Sequence, residues 1–403
     1  MSPCLRGGCF RAWNVARRFR IQRWEMHVLA ASAGFAIALI ILGDAFETII
    51  LPRRVIRKFR FTRIFYRHTW IPWRKLIGSL HNRRRRETLL GFYGPLSLIF
   101  LFLSWAALLI LAFALLQWAW GTNLRGETAP GFRAALYFSG TTFTTLGVGD
   151  LTPISGFARV LTVGEAGTGF GFLAIVIGYL PVIYQSFSRR EANISLLDAR
   201  GGSPPAAVEL LRRYAEGQAL NEIDVLLRDF DHWSAELLES HISYPVLTLF
   251  RSQHNNESWL AALTAILDLS ALLIVGVEGV PAHQAQLTFA MARHAVVDLA
   301  QVLGTPPRPP APDRLPAPQF ERLGEQLRSY GAPLRDGPTA AAQLIDLRHM
   351  YEPYVNALGT YLVLELPGWF PRDGVPDNWQ TSAWERAACR LPRSRPAVPD
   401  DHL

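Results

Sequence analysis

The chain has 403 residues and a formal net charge of +8, and half of its residues are hydrophobic. This length has room for two or three domains, and the clustering of the hydrophobic residues predicts a membrane part and a soluble part. The cysteines Cys4, Cys9 and Cys389 lie near the chain ends in no metal-ligand pattern, which argues against a disulfide framework. No Ser/His/Asp or paired-carboxylate arrangement stands out, so an enzyme is the least expected class.

The first hydrophobic segment, residues 27–51, is long enough to span a bilayer, which requires roughly 20 residues. Its apolar run leads into Asp44-Ala-Phe-Glu-Thr, where Asp44 and Glu47 share one helical face. This acidic pair, together with the lack of a small-x-small cleavage site, argues against a signal peptide. Residues 1–26 before it are rich in arginine and show no clear periodicity.

Residues 52–88 form a basic segment, with thirteen Lys and Arg and no Asp or Glu between Pro52 and Arg86. Six aromatic residues are interleaved with these cations, and no apolar run is long enough to span a membrane. This composition predicts helices in the membrane interface, with anionic lipid headgroups as partners of residues 52–86. Nucleic-acid binding uses the same residue types, but the position between two predicted spans favours the membrane.

A predicted pore domain covers residues 89–187 and begins with an outer helix, 89–120, that contains no charged residue. An amphipathic helix is predicted at 133–144, directly before the run Thr145-Leu-Gly-Val-Gly149. Glycine at every second position breaks a helix and leaves a strand nothing to pack, but it allows successive carbonyls to point to one side. Carbonyl oxygens in that arrangement can replace the hydration shell of an ion.

This run resembles the potassium-channel signature Thr-Val-Gly-Tyr-Gly. The five places of the signature are filled by Thr145, Leu146, Gly147, Val148 and Gly149, and Asp150 and Pro153 fit the usual continuation. The resemblance implies potassium sites made by the Thr145 hydroxyl and by the carbonyls of residues 145–148, with no cofactor besides the permeant ion. One signature supplies a quarter of the carbonyl ring, so a homotetramer is also implied.

Two positions depart from the family pattern. Val148 replaces the usual tyrosine, although other members also have an apolar residue there, and Thr141 lies where several members carry a glutamate that bonds the Asp150 position. Thr141, Thr144 and Asp150 are therefore the expected filter supports, in a filter that is less rigid than usual. We hypothesise that Glu165 supplies the carboxylate missing at Thr141. The alternative is a protonated glutamic acid bonded to a neighbouring helix.

The inner helix is predicted at 156–187 and is rich in glycine. In the family, a glycine midway along this helix acts as a gating hinge, and counting from the signature places Gly169 there, with Gly167 and Gly171 close by. Packing against neighbouring helices is the other role open to these glycines. No span carries arginine at every third residue, so voltage sensing is not expected.

Residues 195–403 form the predicted soluble domain. Helical periodicity appears over Ala206–Glu216, Glu222–Ser240, Ser258–Val277, Ala282–Leu303, Gln319–Tyr330 and Ala340–Leu364. Trp259–Val277 is apolar enough for a fourth span, but Asp268 at its centre favours a buried helix of a bundle. Residues 305–318 are rich in proline and indicate a stiff linker. No dinucleotide fingerprint and no convincing metal spacing is present, so the pattern predicts no ligand for this domain.

The positive charges predict the orientation, because Arg189, Arg190 and the segment 52–86 should be cytoplasmic. The filter then faces outside and residues 188–403 are cytoplasmic, in the inner membrane of a bacterium. This arrangement puts residues 1–26 outside, in conflict with their six arginines. Either translation begins at Met26, or the larger charge of 52–86 decides the orientation.

The sequence therefore predicts an all-α membrane protein with a potassium-channel-like pore unit, one extra N-terminal transmembrane helix and an α-helical cytoplasmic domain. Passive potassium conduction through a homotetramer is the leading function. A nonselective cation channel and a non-conducting scaffold or sensor with a relict pore remain as alternatives. Residues 27–86 also look like a group of uncharacterised bacterial single-pore channel-like proteins, a resemblance that bears on architecture more than on activity.

Overall fold

The computed structural model describes residues 5–51, 60–80, 82–120, 124–126, 131–253, 257–335 and 338–371, with the backbone alone for 5–23, 83, 84 and 338. These residues form helices and one two-stranded sheet. The helices are α1 Leu5–Ile49, α2 Phe61–Gly78, α3 Arg83–Ala119, α4 Phe132–Phe143, α5 Gly156–Gly201, α6 Ala207–Glu216, α7 Ile223–Ser243, α8 Trp259–Val275, α9 Ala282–Leu303, α10 Ala317–Ser329, α11 Pro338–His349 and α12 Glu352–Leu362. The strands β1 Leu124–Arg125 and β2 Thr152–Pro153 pair antiparallel. The predictions for 1–4, 52–59 and 372–403 lie outside the described residues.

In the part of the chain that the structure describes, three helices are long and apolar enough to cross a membrane. They contain the segments Trp24–Ile49, Arg85–Ala119 and Gly156–Gly201. The chain divides into two compact units, one of Met1–Ile71 with Leu96–Val182, the other of Pro72–Pro95 with Ile183–Leu403. The predicted fold class, an all-α membrane protein with a pore unit and further helical regions, is confirmed.

Several helix limits differ from the predicted ones. The arginine-rich stretch before Met26 is helical from Leu5, and α5 continues to Gly201 because no glycine or proline interrupts it after residue 187. A single helix over 340–364 is wrong, since the chain turns at Met350 and Tyr351 between α11 and α12. Pro353 lies in the first turn of α12, where a proline is compatible with a new helix but not with the middle of an old one.

Asp44 joins three helices of the first unit. Its carboxylate accepts hydrogen bonds from the Thr62 amide at 3.0 Å, the Thr62 hydroxyl at 2.5 Å and the Trp105 indole at 3.1 Å. Arg60 lies 3.8 Å from Asp44 and 3.7 Å from Glu47. The Thr62 amide is among the first of α2 and has no partner within its own helix, so a side chain from α1 caps α2. The acidic pair is therefore structural and fixes the start of the basic helix.

The second unit is a helical bundle centred on α8. Asp268 in this helix is buried and bound by Arg314 at 2.5 and 3.1 Å and by the Tyr351 hydroxyl at 2.5 Å. Arg314 also bonds Glu352 at 3.0 Å. A carboxylate paired in this way is compatible with a protein core. The apolar segment 259–275 accordingly lies inside the bundle, as its central acid predicts.

Arg190 also belongs to this bundle, because its side chain is buried and donates to the carbonyls of Leu247 and Phe250 at 2.9 Å each. It forms an ion pair with Glu191 at 2.9 Å. Arg189 beside it is exposed. Of the two arginines used to predict orientation, Arg190 therefore has a structural role in the bundle, while Arg189 faces the solvent side.

Candidate ion-conduction pore

The pore helix is α4, whose buried face consists of Ala134, Ala135, Phe138, Ser139, Thr142 and Phe143. Small and aromatic residues alternate on this face at helical spacing, which allows the helix to pack closely inside the first unit. Gly147 follows four residues after the last helical residue, Phe143, and Gly149 two residues after that. The predicted pore helix, 133–144, differs from the observed one by a residue at each end.

The amides of the filter fold back onto the end of α4. The Thr145 amide donates to the Thr142 carbonyl at 3.0 Å, and the amides of Leu146 and Gly147 donate to the Thr141 carbonyl at 2.9 and 3.3 Å. These bonds satisfy helix carbonyls that would otherwise lack a partner. Among the described residues, no backbone amide donates to the carbonyls of residues 145–148. Those oxygens are therefore available to another ligand.

The φ angle alternates in sign along the backbone of the filter. The φ angles of Thr145, Gly147 and Gly149 are +57°, +55° and +82°, while Leu146 and Val148 between them have negative φ. Alternating left- and right-handed conformations turn successive carbonyls to the same side of the chain, whereas a regular strand points them to opposite sides. A row of oxygens on one side can replace the water shell of a cation.

Thr145 adopts a conformation that costs a non-glycine residue about 1–2 kcal/mol. Such strain is retained where the surrounding structure holds it and is common at functional sites. Leu146 and Val148 point their side chains away from the unit and are 68% and 55% exposed. The predicted site residues 145–149 are thus adjacent, with a strained backbone at Thr145 and no backbone amide of the described residues bound to the carbonyls of 145–148.

Asp150 is supported from the pore helix by Tyr137, which is not one of the predicted filter supports. The Tyr137 hydroxyl lies within hydrogen-bonding reach of the Asp150 carboxylate. The carboxylate also accepts from the Leu151 amide at 3.0 Å. After Asp150, β2 pairs with β1, and Gly126 approaches so closely that an added Cβ would lie 2.2 Å from the Asp150 carbonyl oxygen. The end of the filter is therefore held by Tyr137 and by this small sheet.

Thr141 and Thr144 are predicted filter supports. Both hydroxyls donate to their own helix, Thr141 to the Phe138 carbonyl at 3.0 Å and Thr144 to the Gly140 carbonyl at 2.8 Å. The contribution of Thr141 in this structure comes from its carbonyl, which accepts two filter amides. Side-chain type alone does not indicate this role.

Glu165 is completely buried and contacts the pore helix, where its carboxyl group forms a short hydrogen bond with the Ser139 hydroxyl. The same hydroxyl lies 2.8 Å from the Ile110 carbonyl oxygen of α3. Gln117 of α3 lies close to the Glu165 carboxyl as well. Glu165 thus bonds a neighbouring helix at Ser139, which corresponds to the second of the two hypotheses for this residue. The side chain close to the Asp150 carboxylate is Tyr137, not Glu165.

The three candidate hinge glycines of α5 have different surroundings. A Cβ added to Gly169 would lie 1.9 Å from the Phe143 carbonyl oxygen at the end of α4, whereas Gly167 and Gly171 have no atom within 4 Å of that position. Close packing therefore requires glycine at 169. The gating role of these residues stays a prediction.

The comparison with known proteins points to the same part of the chain. Residues 98–185 match the ion channel family model, which covers the apolar part of α3, then α4, the filter and the first part of α5. The chain is 24% identical over 267 residues to the uncharacterized membrane protein YdjJ of Bacillus subtilis (strain 168), a similarity that covers 65% of this chain and 75% of YdjJ. No solved structure matches the chain.

These matches support two statements about the chain. It is a multi-pass membrane protein, and it carries an ion channel domain that extends from α3 to α5. The similarity to YdjJ covers 267 residues and so reaches well beyond the ion channel match at 98–185.

Proposed function

We propose that the chain is a subunit of a bacterial potassium channel that conducts passively through a homotetrameric filter. The observation that carries this proposal is the alternation of φ over residues 145–149, together with carbonyls that accept no backbone bond among the described residues. Potassium would be bound by the Thr145 hydroxyl and by the carbonyls of residues 145–148, as in carbonyl-lined filters generally. No cofactor other than the permeant ion takes part.

The exposed apolar residues of the first unit support an assembly of four chains. Leu146 and Val148 in the filter and Val160, Val163 and Phe170 on α5 are all largely exposed, with Val163 at 72%. A single filter strand offers oxygens on one side only, whereas an ion that sheds its water needs a ring of them. Four copies around one axis would close the ring and cover these side chains with protein or lipid.

The charge distribution supports an orientation in the bacterial inner membrane. The filter faces outside, while α2 and the helical bundle from residue 188 are cytoplasmic, because the basic segment lies between the first two spans. Arg63 and Arg67 are exposed on α2 and are suited to contact anionic lipid headgroups. No acidic residue occurs in α2 to oppose such a contact.

A potassium flux assay in liposomes tests the proposal. Purified full-length protein should release potassium from loaded liposomes, and Gly147→Ala should abolish the release, because alanine disfavours the positive φ that turns the filter carbonyls. Gly140→Ala is the matched control, since this glycine lies within α4 and an added Cβ would meet no atom within 4 Å. Gly140→Ala should conduct like the wild type.

Two other results would contradict this proposal. Equal fluxes from the wild type and Gly147→Ala would exclude conduction through these carbonyls. No flux from a correctly folded wild type would favour a scaffold or sensor with a relict pore. A nonselective channel is the second candidate, favoured by Val148, which has no hydroxyl to tie the filter to α4.

A further inference from the structure

The buried contact between Glu165 and Ser139 contains a proton whose position can be assigned by counting donors. Ser139 Oγ is in hydrogen-bonding contact with two oxygens, the Glu165 carboxyl oxygen and the Ile110 carbonyl oxygen, the latter at 2.8 Å. A hydroxyl has one hydrogen and can donate to only one of them. The Ile110 carbonyl has no hydrogen. One of the two contacts is therefore satisfied only if the Glu165 carboxyl donates.

The surroundings of Glu165 favour the same assignment. Its side chain is 0% exposed, and no ion pair of the described residues includes it. The neighbours that contact it, Ser139 and Gln117, are uncharged. A carboxylate without a cation at membrane depth costs several kcal/mol, whereas the neutral acid with a hydrogen-bond acceptor does not carry this cost.

The contact also has a defined place along the helices. Glu165 meets Ser139, and four residues further along each chain Gly169 meets Phe143, so α5 and α4 touch at two points one turn apart. The second point, Phe143, lies directly after Thr141 and Thr142, whose carbonyls receive the filter amides. Ser139 also contacts α3, through the carbonyl oxygen of Ile110. One hydroxyl therefore ties the pore helix to both long helices of the pore unit.

We propose that Glu165 is a neutral acid that donates to Ser139, which donates to the Ile110 carbonyl, and that this relay fixes α4 and sets how long the filter stays conductive. The functional half of the proposal rests on the proposed channel function. Glu165 is a positioning residue, since it acts on the filter through α4 without touching an ion site. It would provide the stiffness that neither Thr141 nor Val148 supplies.

Infrared spectroscopy of the reconstituted full-length protein tests the protonation state without any flux measurement. The difference spectrum of wild type and Glu165→Gln should show a carboxylic-acid carbonyl band that the variant lacks. The absence of that band, with a carboxylate band lost in its place, would overturn the assignment. This readout holds even if the wild type conducts no ion, so failure of the relay and failure of the channel function are distinguishable.

Electrical recording tests the positioning role. Glu165→Gln retains a donor and should inactivate like the wild type, whereas Glu165→Val and Ser139→Ala should each inactivate about fivefold faster, the factor that a hydrogen bond of about 1 kcal/mol supplies. Because both variants break one relay, the double variant should be no faster than either single variant. Additive effects, or Glu165→Gln inactivating as fast as Glu165→Val, would refute the relay.

A matched control separates this role from general damage to α5. Thr168→Val changes a half-buried residue of the same helix, whose hydroxyl donates to the Gly164 carbonyl of that helix at 2.8 Å. It should inactivate at the wild-type rate. If Thr168→Val accelerates inactivation as much as Ser139→Ala does, the effect belongs to the helix as a whole and the proposal fails.

Discussion

At the scale of single residues, Gly169 offers the sharpest steric test of the pore unit. Gly169→Ala would bring a methyl group within 1.9 Å of the Phe143 carbonyl oxygen, which is backbone and has little freedom to move. We expect α4 to shift and the free energy of unfolding to fall by about 1–3 kcal/mol, the usual cost of overpacking. Because α4 carries the filter, the potassium flux should fall as well. Thermal unfolding of the detergent-solubilised protein and liposome flux measure the two effects.

Gly171→Ala is the control for this prediction, because an added Cβ there meets no atom within 4 Å. It should leave stability unchanged or raise it slightly, since alanine is the better helix former. Should Gly171→Ala reduce flux as strongly as Gly169→Ala while stability stays constant, hinge motion of α5 rather than packing would explain these glycines.

The candidate filter can be located from the local sequence pattern, whereas the contacts around it cannot. Alternate glycines in a run after an amphipathic helix restrict the backbone strongly, and the structure gives both Gly147 and Gly149 a positive φ. The partners Tyr137–Asp150 and Ser139–Glu165 depend on the rotation of α4 and on its distance from α5. Those quantities are set by packing between segments far apart in the chain, which local patterns do not contain.

At the scale of helices, Glu257 links the end of α5 to the start of α8 within the second unit. Burial, together with the neighbouring carboxyls of Asp198 and Glu191, raises the pKa of Glu257 to about 8. Ser258, the next residue, caps α8 by accepting from the Ala261 amide at 3.0 Å. The protonation of one side chain is therefore coupled to the junction of two helices.

This coupling predicts how stability depends on pH. The ordinary pKa of the group is 4.5 and its folded value is about 8, so between these values the folded state binds more protons than the unfolded state. The contribution of Glu257 to stability is thus complete below pH 4.5, falls as the pH rises, and is lost above about pH 8. Unfolding of the wild type and of Glu257→Gln across this range measures it.

Glu257→Gln should flatten the decline over that range, because glutamine stays neutral at every pH. Glu325→Gln serves as a control, since this residue lies on α10, away from the junction. Parallel curves for the wild type and Glu257→Gln would show that another group titrates. A decline that steepens in Glu257→Gln would contradict the sign of the effect.

Helix existence was easier to predict than helix limits. Strong periodicity located α7, α8 and α9, but the break between α11 and α12 was missed because Pro353 alone marks it. At the end of α5 the composition changes from apolar to mixed after residue 187, which predicts an end there, but without a breaker the helix continues to Gly201. Composition reports the environment of a helix, whereas its length depends on breakers and caps.

At the scale of the whole molecule, the chain combines an ion channel domain with a helical bundle, in a protein with three helices able to span a membrane. The similarity to YdjJ covers 65% of the chain, which is more than the ion channel match at 98–185. The buried ion pairs of Asp268, Arg314 and Glu352 give the bundle a core of its own.

The central claim is that the carbonyls of residues 145–148 form a potassium-selective filter. The most direct test is the reversal potential of the reconstituted channel in a planar bilayer, with potassium on one side and an equal concentration of sodium on the other. If the carbonyls select potassium, the wild-type current should reverse at a large potential whose sign corresponds to potassium permeation. Gly147→Ala should carry no current. A wild-type current that reverses at zero would contradict the claim and assign the pore to a nonselective cation channel.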